Sequence, residues 1–326
     1  TTDANKELKN KHGSTALIHA TANGKVDCLN VLLARGANKE AKNNNGCTAL
    51  IMAALEGHVK CVELLLGVHA DKEAKNKGGW TALMMAAERS VKCLQLLLGS
   101  QAEKEASNSH GCTALMIAAN HGNSDCLKAL LVSGADKAAQ NNNGWTALMM
   151  AAENGSVECL RLLLEAEAEI EVKNGTGLTA LMIAASHGKS DCLNALLVAG
   201  ADKEAIDEDG DTALIFAADN GKYECLQLLL NSNAETEVKN NYCWTALMCA
   251  AENGSLKCIQ LLLESSVDIE AKNDSGWTAL MIAASHGNAD CLNALLVAGA
   301  DKAAKNKKSW TALMSAAEHG SVECLQ

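Results

Sequence analysis

A chain of 326 residues with 28 Lys+Arg against 39 Asp+Glu carries a formal charge of −11. That disfavours nucleic acid and anionic membrane as main partners, because both select a basic footprint. Apolar residues make up 48 %, which excludes disorder, and proline is absent, which excludes collagen-like, proline-rich and most turn-dense all-β designs.

The N-terminus, TTDANKELKNKHG, is polar and charged and does not read as a signal peptide. No apolar run reaches the roughly 18 residues of a membrane-spanning helix, so direct membrane insertion is not expected. The first residue is not Met, and the chain stops at SVECLQ inside an apolar-periodic run. Both ends read as cuts through a longer protein.

A single core rarely grows beyond roughly 250–300 residues, so a chain of this length is multidomain or a repeat array. The repeat decides the matter. Thr-Ala-Leu occurs ten times, with Thr at 15, 48, 81, 113, 146, 179, 212, 245, 278 and 311, and every spacing is 33 except one of 32. A fixed period across a whole chain is the signature of a stacked array. In the fifth repeat, GWTALMMAAENGSVECLRLLLEAEAEIEVKN, Thr146 is suited to cap a helix running to about Glu153. Asn154-Gly155 supplies a left-handed stop. A second helix follows, with Val157, Cys159, Leu160, Leu162, Leu163 and Leu164 as its apolar set. An extended stretch, EIEVKN, and a glycine turn lead to the next Thr. Such a helix–turn–helix–finger unit cannot bury its apolar face alone, so neighbours must stack. The repeats come in two types, one like residues 186–205 and one like 153–172, as unit duplication would leave them.

These residues resemble the ankyrin repeat family. The match rests on the Thr-x-Leu helix start, Ala151-Ala152, Asn154-Gly155, Leu162-Leu163-Leu164 and Gly200-Ala201-Asp202, and covers roughly residues 10–326. The resemblance implies an all-α solenoid of about ten repeats in one array spanning 1–326, the last repeat incomplete. It also implies recognition of another protein through the concave finger and first-helix surface. Thr-Pro-Leu-His reads Thr-Ala-Leu-Met or Thr-Ala-Leu-Ile here, so the hydrogen bonds of the usual His are missing. After Gly-Ala-Asp, the slot that in some members holds a hydroxylated Asn holds Glu40, Glu73, Glu105, Glu171, Glu204, Glu237 and Glu270, or Ala138 and Ala303.

Ten of the 14 Cys, at 28, 61, 93, 126, 159, 192, 225, 258, 291 and 324, share one slot of the second helix. Stacked helices lie about 8–10 Å apart, and a disulfide needs Cα atoms within about 7 Å, so neighbours in this row should not bridge. They read as small buried hydrophobes, reduced, in an intracellular and cytoplasmic setting. No zinc-type CxxC pair, P-loop, G-x-S-x-G or HExxH is present. His121, His187 and His286 sit at separated turns and read as solvated. No cofactor, metal or catalytic residue is expected.

Trp80, Trp145, Trp244, Trp277 and Trp310 each precede the capping Thr, where other repeats have Ser14, Cys47, Cys112, Leu178 or Asp211. Two readings stand side by side. One is a hydrophobic staple, Trp80 packing on Met85 and Trp277 on Ile282. The other is a partner-facing aromatic row. Finger tips vary in charge: Asp207, Glu208, Asp209 and Asp211 in the seventh repeat, Lys305, Lys307 and Lys308 in the tenth. That variation fits solvated loops, and it also fits a recognition surface. The contact residues expected are the five Trp, Glu153, Asn154, Glu252, Asn253, Asp207, Asp209 and Lys307. The alternatives are a spacer or scaffold in a cytoskeletal, ciliary or membrane-channel assembly, and the regulatory repeats of an enzyme whose catalytic domain lies elsewhere. The third repeat, AAERSVKC, lacks the glycine between its helices. One of its helices is expected to end early around a tighter turn.

Overall fold

The computed structural model describes residues 5–326. Packing of the chain defines two compact blocks, Thr1–Glu169 and Ile170–Gln326. Among the described residues there are twenty α-helices and no strand beyond one isolated antiparallel bridge, Ser107 to Thr113.

The N-terminal block holds α1 (Ala16–Ala22), α2 (Val26–Ala34), α3 (Ala49–Leu55), α4 (Val59–Gly67), α5 (Ala82–Arg89), α6 (Val91–Gly99), α7 (Ala114–Asn120), α8 (Ser124–Val132), α9 (Ala147–Asn154) and α10 (Val157–Glu165). The C-terminal block holds α11 (Ala180–Ser186), α12 (Ser190–Val198), α13 (Ala213–Asp219), α14 (Tyr223–Asn231), α15 (Ala246–Asn253), α16 (Leu256–Glu264), α17 (Ala279–Ser285), α18 (Ala289–Val297), α19 (Ala312–Glu318) and α20 (Val322–Leu325). Within each block the odd-numbered helices stack on one another and the even-numbered helices form a second layer behind them. Each block is therefore a stack of helix hairpins, the all-α solenoid architecture that the 33-residue period predicts.

The Thr of each Thr-Ala-Leu sits in extended backbone, and its hydroxyl accepts the N–H three residues on, at 3.3–3.5 Å. This satisfies one of the orphan donors at each helix start. Helix α9 ends one residue beyond the expected Glu153, and Gly155 follows in the left-handed region at φ 79°. The second helices bury a narrow stripe. In α10 that stripe is Cys159, Leu160 and Leu163, while Leu162 and Leu164 are half-buried. The stretch expected to be extended, 169–174, forms bends rather than a strand.

The short third repeat departs from expectation. Neither helix ends early: α5 runs to Arg89 over eight residues, as α9 does. Ser90, at φ −140° and ψ 98°, closes α5 and opens α6 by itself. Its N–H donates to the carbonyl of Ala86 at 2.8 Å, and its hydroxyl accepts the N–H of Cys93 at 3.4 Å. One extended residue replaces the usual left-handed glycine, so no strain accumulates and Cys93, Leu94 and Leu97 stay fully buried.

All 14 cysteines are free. Eight of the ten in the shared slot are buried, but Cys28 is exposed and Cys324 half-buried, a correction to the expectation for all ten. Both lie in the outermost repeats, which have a neighbour on one side only. Burial raises the thiols in the interior of the stack, Cys126 and Cys225 to about 12 and Cys291 to about 11. No helix among the described residues is long and apolar enough to cross a membrane.

Candidate recognition surface

The fingers are assembled from a few repeated residues. In each finger an Asn, or Asp207 in the seventh repeat, accepts two backbone N–H groups through its side-chain oxygen. For Asn76 these come from Gly78 at 2.9 Å and Trp80 at 3.0 Å. Asn273 serves Ser275 and Trp277 in the same way, both at 3.0 Å. The reciprocal bond runs from the Asn76 N–H to the Trp80 carbonyl at 3.0 Å. This Asx turn holds the finger closed without the missing Pro and His.

Neighbouring fingers are joined by three ladders. Main chain donates to main chain at the tips, as from Lys77 to Asn45 at 3.0 Å in the N-terminal block and Lys307 to Ser275 at 3.1 Å in the C-terminal block. Lysines reach one finger along: Lys42 donates to the Lys75 carbonyl at 2.9 Å, and Lys272 to the Lys305 carbonyl at 3.1 Å. The glutamates of the slot after Gly-Ala-Asp accept a backbone N–H of the next repeat. Glu40 binds Asp71 at 3.0 Å, Glu105 binds Asp136 at 2.9 Å and Glu270 binds Asp301 at 2.7 Å. The sequence reading noted this Glu row only as standing where some family members carry a hydroxylated Asn, and did not single out the Lys row. Their recurrence at the repeat period on an exposed loop was the available signal.

A glycine before the Trp slot occupies the left-handed region in eight fingers, with φ between 73° and 81°. A Cβ on Gly276 would lie 2.9 Å from the backbone nitrogen of Lys307, so the next finger leaves no room for one. Cys243 at φ 59° and Ser309 at φ 62° stand in this slot in the eighth and tenth repeats. The rung beside Cys243, from Asp274 to the Tyr242 carbonyl, is stretched to 3.4 Å.

All five Trp are half-buried. Each has one part covered by its repeat and another open to solvent. Trp277 and Trp310 line a cavity of about 410 Å³ with Asp274, Ser275, Asn306, Lys307, Lys308 and Glu318. This brings together three of the expected contact residues: Trp277, Trp310 and Lys307. Trp244 belongs to the adjoining finger but not to the cavity lining. Trp80 and Trp145 lie in the N-terminal block, two repeats apart, with Cys112 in the slot between them. Glu153 is half-buried and Asn154 exposed at the end of α9. Glu252 and Asn253 are exposed at the end of α15, where Glu252 Oε1 lies 3.6 Å from His286 Nε2. Asp209 is exposed, whereas Asp207 is the Asx residue of its finger, accepting from Asp209 at 3.0 Å and Asp211 at 2.8 Å.

The seventh repeat presents the opposite electrostatic character. Asp211 takes the Trp slot, and its carboxylate accepts from the Asn240 amide at 2.9 Å. Burial pushes its carboxyl up, the Asn240 bond pulls the other way, and Asp207, Asp209 and Asp219 push it further up. Burial also raises Asp219. The histidines at the turns are more than solvated. Nδ1 of His121, His187 and His286 lies 2.9–3.0 Å from the carbonyl four residues earlier, closing each first helix. Among the described residues no group of three His, Cys, Asp or Glu is placed to hold a metal ion.

Asx-closed fingers and stacked helix hairpins repeated at a fixed period define a repeat solenoid. A family model of ankyrin repeats, in three copies, matches residues 2–76, 66–141, 115–207, 181–273 and 266–326. The chain belongs to the ankyrin-repeat family, whose repeats generally mediate protein–protein interaction. None of the curated proteins matches the chain.

Proposed function

We propose that this chain is a non-catalytic recognition module that binds a partner protein through its finger and first-helix face, with the Trp slots as anchors. The observation that carries this is the cavity between consecutive fingers, walled by Trp277 and Trp310 and rimmed by Lys307 and Lys308. Half-open Trp beside a polar rim is the composition of an interface hot spot. The many free thiols favour a reducing compartment.

The test is Trp277→Ala in the full chain, with folding followed by circular dichroism and binding measured against partners selected from a displayed peptide library. Truncating an anchor should weaken binding by about 2 kcal/mol or more. Unchanged affinity in a folded variant would leave the Trp row a staple only. A second reading, a spacer or scaffold, is favoured by the ladders that tie finger to finger. Function that follows repeat number and ignores Trp277→Ala would support it.

A further inference from the structure

The finger tips of the C-terminal block form a charge gradient. The seventh finger carries Asp207, Glu208, Asp209 and Asp211; the eighth offers Asn240, Asn241 and Tyr242; the tenth carries Lys305, Lys307 and Lys308. The three lysines are exposed, and none of them is within ion-pair distance of a carboxylate among the described residues. By contrast Lys272 and Lys239, one and two repeats before Lys305, are engaged with carbonyls of the next finger. Between the charged ends lie the slots of Trp244, Trp277 and Trp310, the last two sharing the cavity. Asp274 and Glu318 also line that cavity. The Asp274 carboxylate beside Cys243 raises its thiol. The basic character therefore sits on the outer wall, at the tip of the tenth finger.

Resting on the recognition reading above, we propose that this block binds an extended protein segment of fixed polarity. Its acidic end lies over Lys307 and Lys308, its basic end lies over Asp209 and Glu208, and bulky apolar side chains between them enter the Trp slots. Neighbouring repeats are spaced by about 8–10 Å, so three steps cover roughly 24–30 Å, the reach of about seven to nine residues of extended chain. Asp211, half-buried at the seventh finger, supports the basic end: its surroundings and the neighbouring Asp207 and Asp209 hold its carboxyl above the ordinary range, and a partner cation there would relieve it.

The experiment uses the full chain and three fluorescein-labelled dodecapeptides. One has acidic residues at its N-terminal end, leucine and phenylalanine in the middle and basic residues at its C-terminal end. The second has the same composition with acidic and basic residues alternating at both ends, and the third replaces them with serine. A free peptide can turn round to match the gradient, so the probes vary the separation of charge and not chain direction. Anisotropy at low salt should show the charge-separated probe binding at least about tenfold more tightly than the alternating and serine probes, with the difference shrinking as salt rises. A variant basic at both ends, Glu208→Lys and Asp209→Lys, should lose the preference. These side chains are exposed and hold no ladder bond, so folding is retained. Equal binding of the separated and alternating probes, weakened alike by Trp277→Ala, would overturn the polarity and leave the recognition reading standing. A preference that is lost in the double variant but ignores Trp277→Ala would overturn the anchoring role of the Trp row. Charged probes no better than the serine probe would overturn the inference outright.

Discussion

Cys243→Gly is expected to stabilise the C-terminal block. A non-glycine residue in the left-handed region costs about 1–2 kcal/mol, and Cys243 stands there at φ 59°. Glycine returns part of that through the greater entropy of its unfolded chain, about 0.5–1 kcal/mol. Against this, the equivalent finger glycines leave room for the next finger: a Cβ on Gly177 would lie 2.8 Å from the Glu208 nitrogen. Cys243 carries that Cβ, and its rung is 3.4 Å where the rung from Asn241 to Asp209 is 2.9 Å. Removing the Cβ lets the rung shorten and should recover a few tenths of a kcal/mol. The balance is a gain of about 0.5–1 kcal/mol. Urea unfolding of the full chain, read together with hydrogen exchange at Asp274, measures it: the midpoint should rise and that amide should exchange more slowly. The control is Gly276→Ala, at φ 80° with the Lys307 nitrogen 2.9 Å from the new Cβ, which should cost about 2 kcal/mol or more. If Cys243→Gly destabilises, or Gly276→Ala is silent, the steric account of the finger slot is wrong.

Two other outcomes follow from the ladders and the thiols. Ala138→Glu should restore the rung absent in the N-terminal block by accepting the Glu169 N–H, adding about 0.5–1.5 kcal/mol and slowing exchange of that amide; an unchanged Glu169 amide would refute the ladder's role. The buried thiols have folded pKa values above their unfolded ones, so their stabilisation is complete below the ordinary thiol range and declines as pH rises toward about 12, the value for Cys126 and Cys225. Urea midpoints should therefore fall between pH 9 and 11, less steeply in a Cys126→Val, Cys225→Val variant; identical slopes would show that these thiols do not link folding to pH.

The helix framework was legible because its determinants are local. Thr146 lies next to the helix it caps, Gly155 next to the turn it closes, and Cys159, Leu160 and Leu163 fall on one face by helical spacing alone. The same locality explains the misjudged turn at Ser90. The sequence shows a missing glycine but not that one serine supplies an end for α5 and a cap for α6. The ladders were illegible for a different reason. Glu40 meets Asp71, and Lys42 meets Lys75, only after two repeats have stacked. The cavity at Trp277 and Trp310 also requires two fingers to be placed side by side. Half-burial of each Trp explains why the sequence left staple and anchor unresolved: one side chain has a face for each.

The ladders also explain how repeats this similar can carry tips this different. At most tips the rung to the neighbouring finger is made by main-chain atoms, as from Asn241 to Asp209 and from Lys307 to Ser275, and the side-chain amides of Asn44, Asn142 and Asn241 add a second bond. The main-chain bond is indifferent to whether the side chain above it is Asn or Lys. The side chains that do hold the stack sit lower on the finger, at the Asx position, the Lys and Glu rungs and the glycine before the Trp slot, and those recur with few exceptions. The main-chain rungs beside the seventh and tenth tips, Asn241 to Asp209 and Lys307 to Ser275, are made whether the tip carries carboxylates or ammonium groups. Asp207 and Asp211 are held by the fold, through the Asx turn and the Asn240 amide. The side chains of Glu208, Asp209, Lys307 and Lys308 carry no such duty, so charge can change there at little cost to the stack.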